Sequence, residues 1–299
     1  KEKIFFGSNA DYILNLTDQK FQLNKKKLES YLKFGFRNLY NNKDYTSLFK
    51  NIYSIKPGSY LEINEKLKFK EKFYWNPLSI KIKKKLNYGY EKKKLFTEYK
   101  NIIRQQTISD FPIACLLSGG VDSSSIASIA SKYYLKNKLH CFSIKTDDPD
   151  YDESKLILKT VKKYKLKHTF VNVKNNNQYN LSILKDIINQ TGDFAPTTSW
   201  LMYSHMCRVI KKKKHKVILT GTGGDEIFAG YYSHHLHYLK SILNDKIKFK
   251  YKYNEWVKLV TPFIRSKDLK NFDQYKNNIN KIDPSKTEYI HLKKYFKNY

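Results

Sequence analysis

Arginine is nearly absent from this chain. Only Arg37, Arg104, Arg208 and Arg265 are present, so lysine supplies almost all of the 57 basic residues. Reading bases and gripping phosphates favours the planar guanidinium fork. The formal net charge of +30 is therefore poorly suited to a specific nucleic-acid partner. The lysines are also spread along the whole length. Lys, Asn, Ile and Tyr, all with AT-rich codons, are abundant, so the charge is read as compositional bias. Cysteine is scarce too, at three, and no CxxC pair exists. That excludes a disulfide framework and a zinc or thiol site of that spacing. Cys115 and Cys141 lie in apolar runs and are expected to be small buried hydrophobes. A reducing cytoplasm is the expected location. Gly (11) and Pro (7) are few, which excludes collagen-like classes. No window of 18 uncharged apolar residues occurs, so no membrane span or membrane partner is expected. The start, Lys1 to Phe6, has no apolar signal region. No GxxxxGK[ST] loop and no internal repeat are found. What is present is a 40% hydrophobic content with 18 Phe and 25 Tyr over 299 residues. That is ample for a core and argues against a disordered chain.

The chain opens on Lys1 within a strand-like run, Ile4-Phe5-Phe6, and is expected to be a fragment. Residues 1–80 hold short apolar runs broken by turns. Lys56-Pro57-Gly58-Ser59 is a turn signal. Tyr60 to Ile63 and Leu67 to Trp75 alternate with lysines outward, which predicts a β-hairpin at a sheet edge. Residues 81–95 are Lys-rich and read as a linker. From residue 96 the pattern becomes alternating helices and strands. Helices are expected over 93–108, after Gly120, over 152–164, 178–191 and 199–213, and after Gly224. Strands are expected at 112–117, 140–145, 168–173 and 216–219. This alternation predicts a parallel sheet with right-handed crossovers. Ligands then belong beyond the carboxyl ends of the strands. The tail, 244–299, reads as helical in weak patches only.

Two loops carry chemistry. Leu117-Ser118-Gly119-Gly120-Val121-Asp122-Ser123-Ser124 leaves a strand and enters a helix. Its glycines bare the backbone, and successive N–H groups at a helix N-terminus make an anion site. Asp122 inside such a loop would repel a phosphate unless a cation lay between them, which predicts Mg²⁺. The bland alternative is a glycine-rich turn with a capping Asp. The second loop, Thr220-Gly221-Thr222-Gly223-Gly224-Asp225-Glu226, also follows a strand. Alone it could be an acidic helix N-terminus. Two such loops on one sheet would face one crevice.

Together these loops resemble those of the glutamine-hydrolysing asparagine synthetases, which carry an SGGxDS loop and a later SGxGxDExFxGY loop. Phe142-Ser143-Ile144 resembles the family's FSI segment, and Tyr151-Asp152-Glu153 its acidic helix start. Phe5 to Leu14, Leu48 to Ile52, Lys56 to Ser59 and Tyr74-Trp75 resemble the last strands of its glutaminase domain. The resemblance spans about residues 4–243. It implies an α/β, parallel-sheet, adenine nucleotide alpha hydrolase-like (PP-loop) domain over 96–299, preceded at 1–80 by a partial β-rich Ntn-type glutaminase domain. It also implies ATP-dependent adenylation of a carboxylate, aspartate by the family's habit, and ammonia transfer from glutamine. ATP and Mg²⁺ are the implied cofactors, and a homodimer is left open. Ser118, Gly119, Gly120 and Ser123 would hold pyrophosphate. Asp122 and Asp225 would hold Mg²⁺, with Glu226 a supporting acid or ligand. Leu117 and Ile144 would contact adenine, and Thr220 and Gly221 would complete the nucleotide set.

Three departures are expected to matter. The family's cysteine nucleophile is missing, so the chain as it stands should not hydrolyse glutamine. Thr222 stands where an acid is frequent, so a sugar-acid or peptide carboxylate remains an alternative acceptor. A later basic motif is not recognisable before Tyr299. His234, His235 and His237 could form a metal site but read rather as an exposed helical face. Gly192 to Ser199 is either a lining of the acceptor pocket or a loop with an N-cap. Lys211 to Lys214 suit a helix C-terminus better than an RNA patch.

Overall fold

In the computed structural model the described residues are 3–17, 20–34, 45–76, 79–80, 87–136, 138–149, 151–173, 177–195, 197, 199–264 and 266–278. Arg37, Arg265, Pro196, Thr198, residues 81–86 of the expected linker and the tail beyond 278 lie outside them. The elements, in chain order, are α1 (Ala10–Asn15), α2 (Lys25–Phe34), β1 (Ser59–Ile63), β2 (Phe69–Phe73), α3 (Tyr88–Gln106), β3 (Ile113–Leu116), α4 (Val121–Ile129), a π-helical turn (Ala130–Leu135) and β4 (His140–Lys145). They continue with α5 (Ser154–Tyr164), β5 (Lys167–Asn172), α6 (Asn177–Thr191), α7 (Ser199–Lys212), β6 (Val217–Leu219), α8 (Gly224–Phe228), α9 (Tyr232–Ser241), α10 (Lys246–Leu259), α11 (Lys267–Lys270) and α12 (Phe272–Asn278). Contacts divide the chain into two compact units. One takes the residues up to Ile102 with 172–213; the other takes 103–171 and the residues from Lys214 onward.

In the first unit the expected hairpin forms. Ser59 pairs with Phe73 and Ile63 with Phe69, antiparallel. It is a two-stranded sheet of its own, not the edge of a larger one among the described residues. The start, 3–7, is exposed coil, so the strand expected at Ile4-Phe5-Phe6 does not form there. Among the described residues no strand pairs with that segment. Ile183 and Ile187 of α6 pack with Ala195 in a small core. Tyr31 stacks on Phe194 at 4.0 Å between ring centres and donates its hydroxyl to the Ala195 carbonyl at 2.7 Å. The segment after Gly192 is thus anchored by packing.

The second unit holds a four-stranded sheet in the order β5-β4-β3-β6. Strands β3 and β4 pair in parallel, with Cys115 opposite Cys141. Strands β3 and β6 are also parallel, with Cys115 opposite Leu219. The α/β, parallel-sheet class expected from the alternation is therefore present. Ala114, Cys115, Cys141 and Phe142 are fully buried, because a sheet covered on both faces needs continuous apolar strands. The Cys141 thiol beside it and burial push the Cys115 thiol well up. The chain builds β3, β4 and β5 outward in one direction and then places β6 on the other side of β3. The order therefore reverses between β3 and β6, where open α/β sheets form their ligand crevice.

The tail corrects the sequence reading. Residues 246–259 form a 14-residue helix whose N-terminus is capped by Asp245, which accepts from the Lys248 N–H at 3.0 Å. Phe249, Tyr253, Trp256 and Val260 pack onto Leu236, Leu239, Ile264 and Phe272. Burying each of the large side chains contributes about 1.5–3 kcal/mol, enough to overcome a lysine-rich surface. The histidines of α9 differ from the exposed face expected. His234 and His235 are half-buried, and only His237 is exposed. Its Nδ1 lies 2.8 Å from the Tyr275 hydroxyl.

Candidate active site

Both glycine loops leave the carboxyl ends of neighbouring strands, and the structure brings them into contact. Leu117, directly after β3, is buried, and its N–H donates to the Phe142 carbonyl at 2.8 Å. Helix α4 begins at Val121 with Gly120 as an N-cap that supplies no side-chain bond. Its first N–H groups therefore have neither an intrahelical partner nor a side-chain cap. In the second loop Gly223 adopts φ +94 as the N-cap of α8, a conformation that disfavours a side chain. A Cβ on Gly221 would lie 3.0 Å from the Ser123 nitrogen, and one on Gly224 would lie 2.5 Å from the Asp122 carboxylate. Only glycine at 224 leaves Asp122 of the first loop where it stands, because its carboxylate fills the space a side chain would take.

This approach gathers three carboxylates from two segments a hundred residues apart. Asp122 is half-buried. Burial first, and then the negative charges of Asp225 and Glu226, raise its pKa above the ordinary aspartate value. Glu226 is exposed and held the other way. The Tyr231 hydroxyl donates to its Oε1 at 2.7 Å and is the main cause of its lowered pKa. That phenol is in turn pushed up to about 12, chiefly by the same bond. Asp122 thus stands partly buried beside two further acids at the meeting of the loops. Among the described residues no group of three or more His, Cys, Asp or Glu side chains is placed to hold a metal by itself.

The first loop is internally bonded. The Ser118 N–H donates to Ser123 Oγ at 3.0 Å, and the two hydroxyls lie 2.8 Å apart. The Gly120 N–H donates to Ser118 Oγ at 3.2 Å. The Gly119 N–H donates to Oε2 of Glu153, at 3.0 Å. Ile144 lies near the carboxyl end of β4, beside β3, and Thr220 follows β6 directly. All nine nucleotide-binding candidates and all three acids therefore share one edge of one sheet.

Some contacts were not assigned from the sequence. The buried Ser143 hydroxyl donates to the Leu117 carbonyl, and His168 Nε2 lies 2.8 Å from that hydroxyl. Burial lowers the His168 pKa, which favours a neutral imidazole. These two brace the strand end from beneath. Ser143 stands in the FSI segment and Tyr231 at the end of the second motif, so both lay within readable signals. His168 had no such signal; only strand adjacency brings it there.

The fold and site together define an α/β protein with two glycine-carboxylate loops meeting at the switch point of a parallel sheet. Residues 99–291 match the family model described as "Asparagine synthase". The chain belongs to the asparagine synthase family, and its parallel sheet agrees with the adenine nucleotide alpha hydrolase-like class expected. It is 29% identical over 241 residues to the putative asparagine synthetase [glutamine-hydrolyzing] 2 of Methanocaldococcus jannaschii, covering 78% of this chain and 44% of that protein. It is 33% identical over 152 residues to the asparagine synthetase [glutamine-hydrolyzing] 2 of Oryza sativa subsp. japonica, covering 46% and 24%. The chain thus spans less than half the length of these curated relatives. Among solved structures, the NH3-dependent NAD synthetase of Campylobacter jejuni is similar at TM-score 0.34 and 15% identity, over 64% of this chain and 96% of that one.

Proposed function

We propose that the chain carries the synthetase site of an ATP-dependent amide ligase of asparagine-synthetase type, with aspartate as the carboxylate. The observation that carries this reading is the meeting of Asp122, Asp225 and Glu226 beside the uncapped start of α4. In the reaction a carboxylate oxygen attacks the α-phosphorus of ATP, and the bond to the β-phosphate oxygen breaks. Pyrophosphate leaves, and an acyl-adenylate remains. Ammonia then attacks the acyl carbon, the bond to AMP breaks, and the nitrogen loses a proton. The backbone of Gly119 and Gly120 and the hydroxyls of Ser118 and Ser123 would hold the pyrophosphate. Leu117, Ile144, Thr220 and Gly221 would line the nucleotide. Ser143 and His168 keep the Leu117 carbonyl in place.

Mg²⁺ fits the donor set, because it would offset the burial and the like charges that raise Asp122, with Asp122 and Asp225 as its protein ligands. When bound it would neutralise charge on the leaving pyrophosphate. Mg²⁺ is usually held by one or two carboxylates together with phosphate oxygens, which Asp122 and Asp225 would match. The same reading takes residues 1–80 as the end of a glutaminase domain, 81–95 as a linker and 96–299 as the synthetase domain. Glutamine would then be the ammonia source of the longer protein. Three free cysteines suit a cytoplasmic setting.

The test is pyrophosphate release by the longest available form of the protein, supplied with ATP, ammonium and aspartate. Release is expected, and Asp122→Ala should abolish it. Release that survives Asp122→Ala refutes the site. Thr222 motivates the comparison acceptors, sugar acids and peptide carboxylates; turnover with those and not with aspartate would transfer the reading to them.

A further inference from the structure

We propose that Glu153 is an internal anion on the phosphate loop, seated on the Gly119 N–H when no nucleotide is bound and displaced by the incoming phosphate. The inference rests on the nucleotide reading of that loop and assigns a residue the reading does not use. Glu153 is the N-cap of α5, yet its side chain makes no bond to its own helix. It reaches instead to the Gly119 N–H, 34 positions earlier, at 3.0 Å. Glutamate is also not among the favoured N-cap residues, so a capping role does not account for it. Packing brings it there. A Cβ on Gly119 would lie 3.1 Å from Glu153 Cβ and 3.0 Å from Leu156 Cβ. The missing side chain at 119 therefore admits the start of α5 as well as a ligand.

The other bonds within the loop use neutral hydroxyls of Ser118 and Ser123, which can rotate to new partners. The Glu153 carboxylate is different, because its charge has the sign of the expected ligand. A backbone N–H aimed at an anion is satisfied by either one. The carboxylate can hold the loop in its binding shape, but it cannot stay on the same donor beside a phosphate. Glu153 is thus a positioning residue whose removal should favour the ligand.

The experiment measures binding of pyrophosphate, with Mg²⁺ present, by calorimetry on the longest available form of the protein. Wild type, Glu153→Gln and Glu153→Ala are compared, with the KM for ATP read in parallel. Both variants are expected to bind pyrophosphate at least about fivefold more tightly, as losing a competing charged hydrogen bond implies. The KM for ATP should fall with them, and kcat should fall if pyrophosphate leaves more slowly. A merely structural role moves affinity the other way. The Gln variant keeps shape and an acceptor oxygen, so it decides the matter if the Ala variant melts early. Wild type that binds with variants no tighter overturns the inference and leaves the nucleotide reading standing. Wild type and folded variants that all fail to bind pyrophosphate and ATP overturn the nucleotide reading and this inference with it.

Discussion

Replacing Gly224 by alanine separates the fold from the site. The added Cβ would lie 2.5 Å from both Cγ and Oδ2 of Asp122. An ordinary non-bonded carbon contact is about 3.5–4 Å, so the carboxylate must retreat by roughly 1 Å. Asp122 can do this by turning about its own side-chain bonds, because it is short and only half-buried. Overpacking in a core costs about 1–3 kcal/mol, and this site belongs at the low end. Alanine in place of glycine in a helix returns roughly 0.5–1 kcal/mol. The net change in stability should be within about 1 kcal/mol, or roughly 2–4 °C in the melting temperature of a unit this size. Activity should respond quite differently. A misplacement of about 1 Å at a reacting centre can lower the rate about 100-fold. Pyrophosphate release and thermal melting are measured on the same preparation. In an Asp122→Ala background the new Cβ has room, so Gly224→Ala should then add nothing, a non-additivity expected only of residues in contact. A Gly224→Ala protein that melts normally and keeps its activity would refute the reasoning. So would one whose stability cost persists undiminished in an Asp122→Ala background.

Other outcomes follow from the same geometry. Asp122→Asn should change the pH dependence of stability. With a raised folded pKa, Asp122 binds its proton more tightly folded than unfolded. Wild type should therefore lose stability as pH rises from the ordinary carboxylate range through the folded value. Denaturation midpoints across that range should show the slope reduced in the variant. Tyr231→Phe should raise the Glu226 pKa, since the lost bond is the chief cause of its lowering; an unchanged carboxylate titration by NMR would refute this. Gly223→Ala should destabilise by roughly 1–2 kcal/mol from backbone strain alone, because no atom lies within 4 Å of the added carbon. Chemical denaturation measures it. Thiol titration should find Cys207 reacting in the native protein, slowed because burial raises its thiol, with Cys115 and Cys141 reacting only on unfolding.

Much of this was legible in the chain. Strand 140–145 and helix 199–212 lie where the apolar pattern puts them, within a residue. The two motif loops are strand-to-helix turns, as their glycines and flanking runs imply. The tail was harder for a physical reason. Ile247, Phe249, Tyr251 and Tyr253 alternate with lysine, a period of two that hides the helical stripe Phe249-Tyr253-Trp256-Val260. Asp245 and the apolar face of α9 decide the matter in favour of helix, and that face meets α10 only when the two helices pack together.

The sequence by itself determined the strands of the parallel sheet, where the two glycine loops lie and which acids stand in them. Those properties are local, set by glycine, burial pattern and charge over a few residues. Only the tertiary structure decided that Asp122 fills the space over Gly224, that its pKa rises in the company of Asp225 and Glu226, and that Glu153 sits on the Gly119 N–H. Each of these joins residues from distant segments. Their meeting follows from β6 lying beside β3 and from α5 starting against the loop. Strand order and helix approach are settled by the packing of the whole sheet, which no short window of sequence contains.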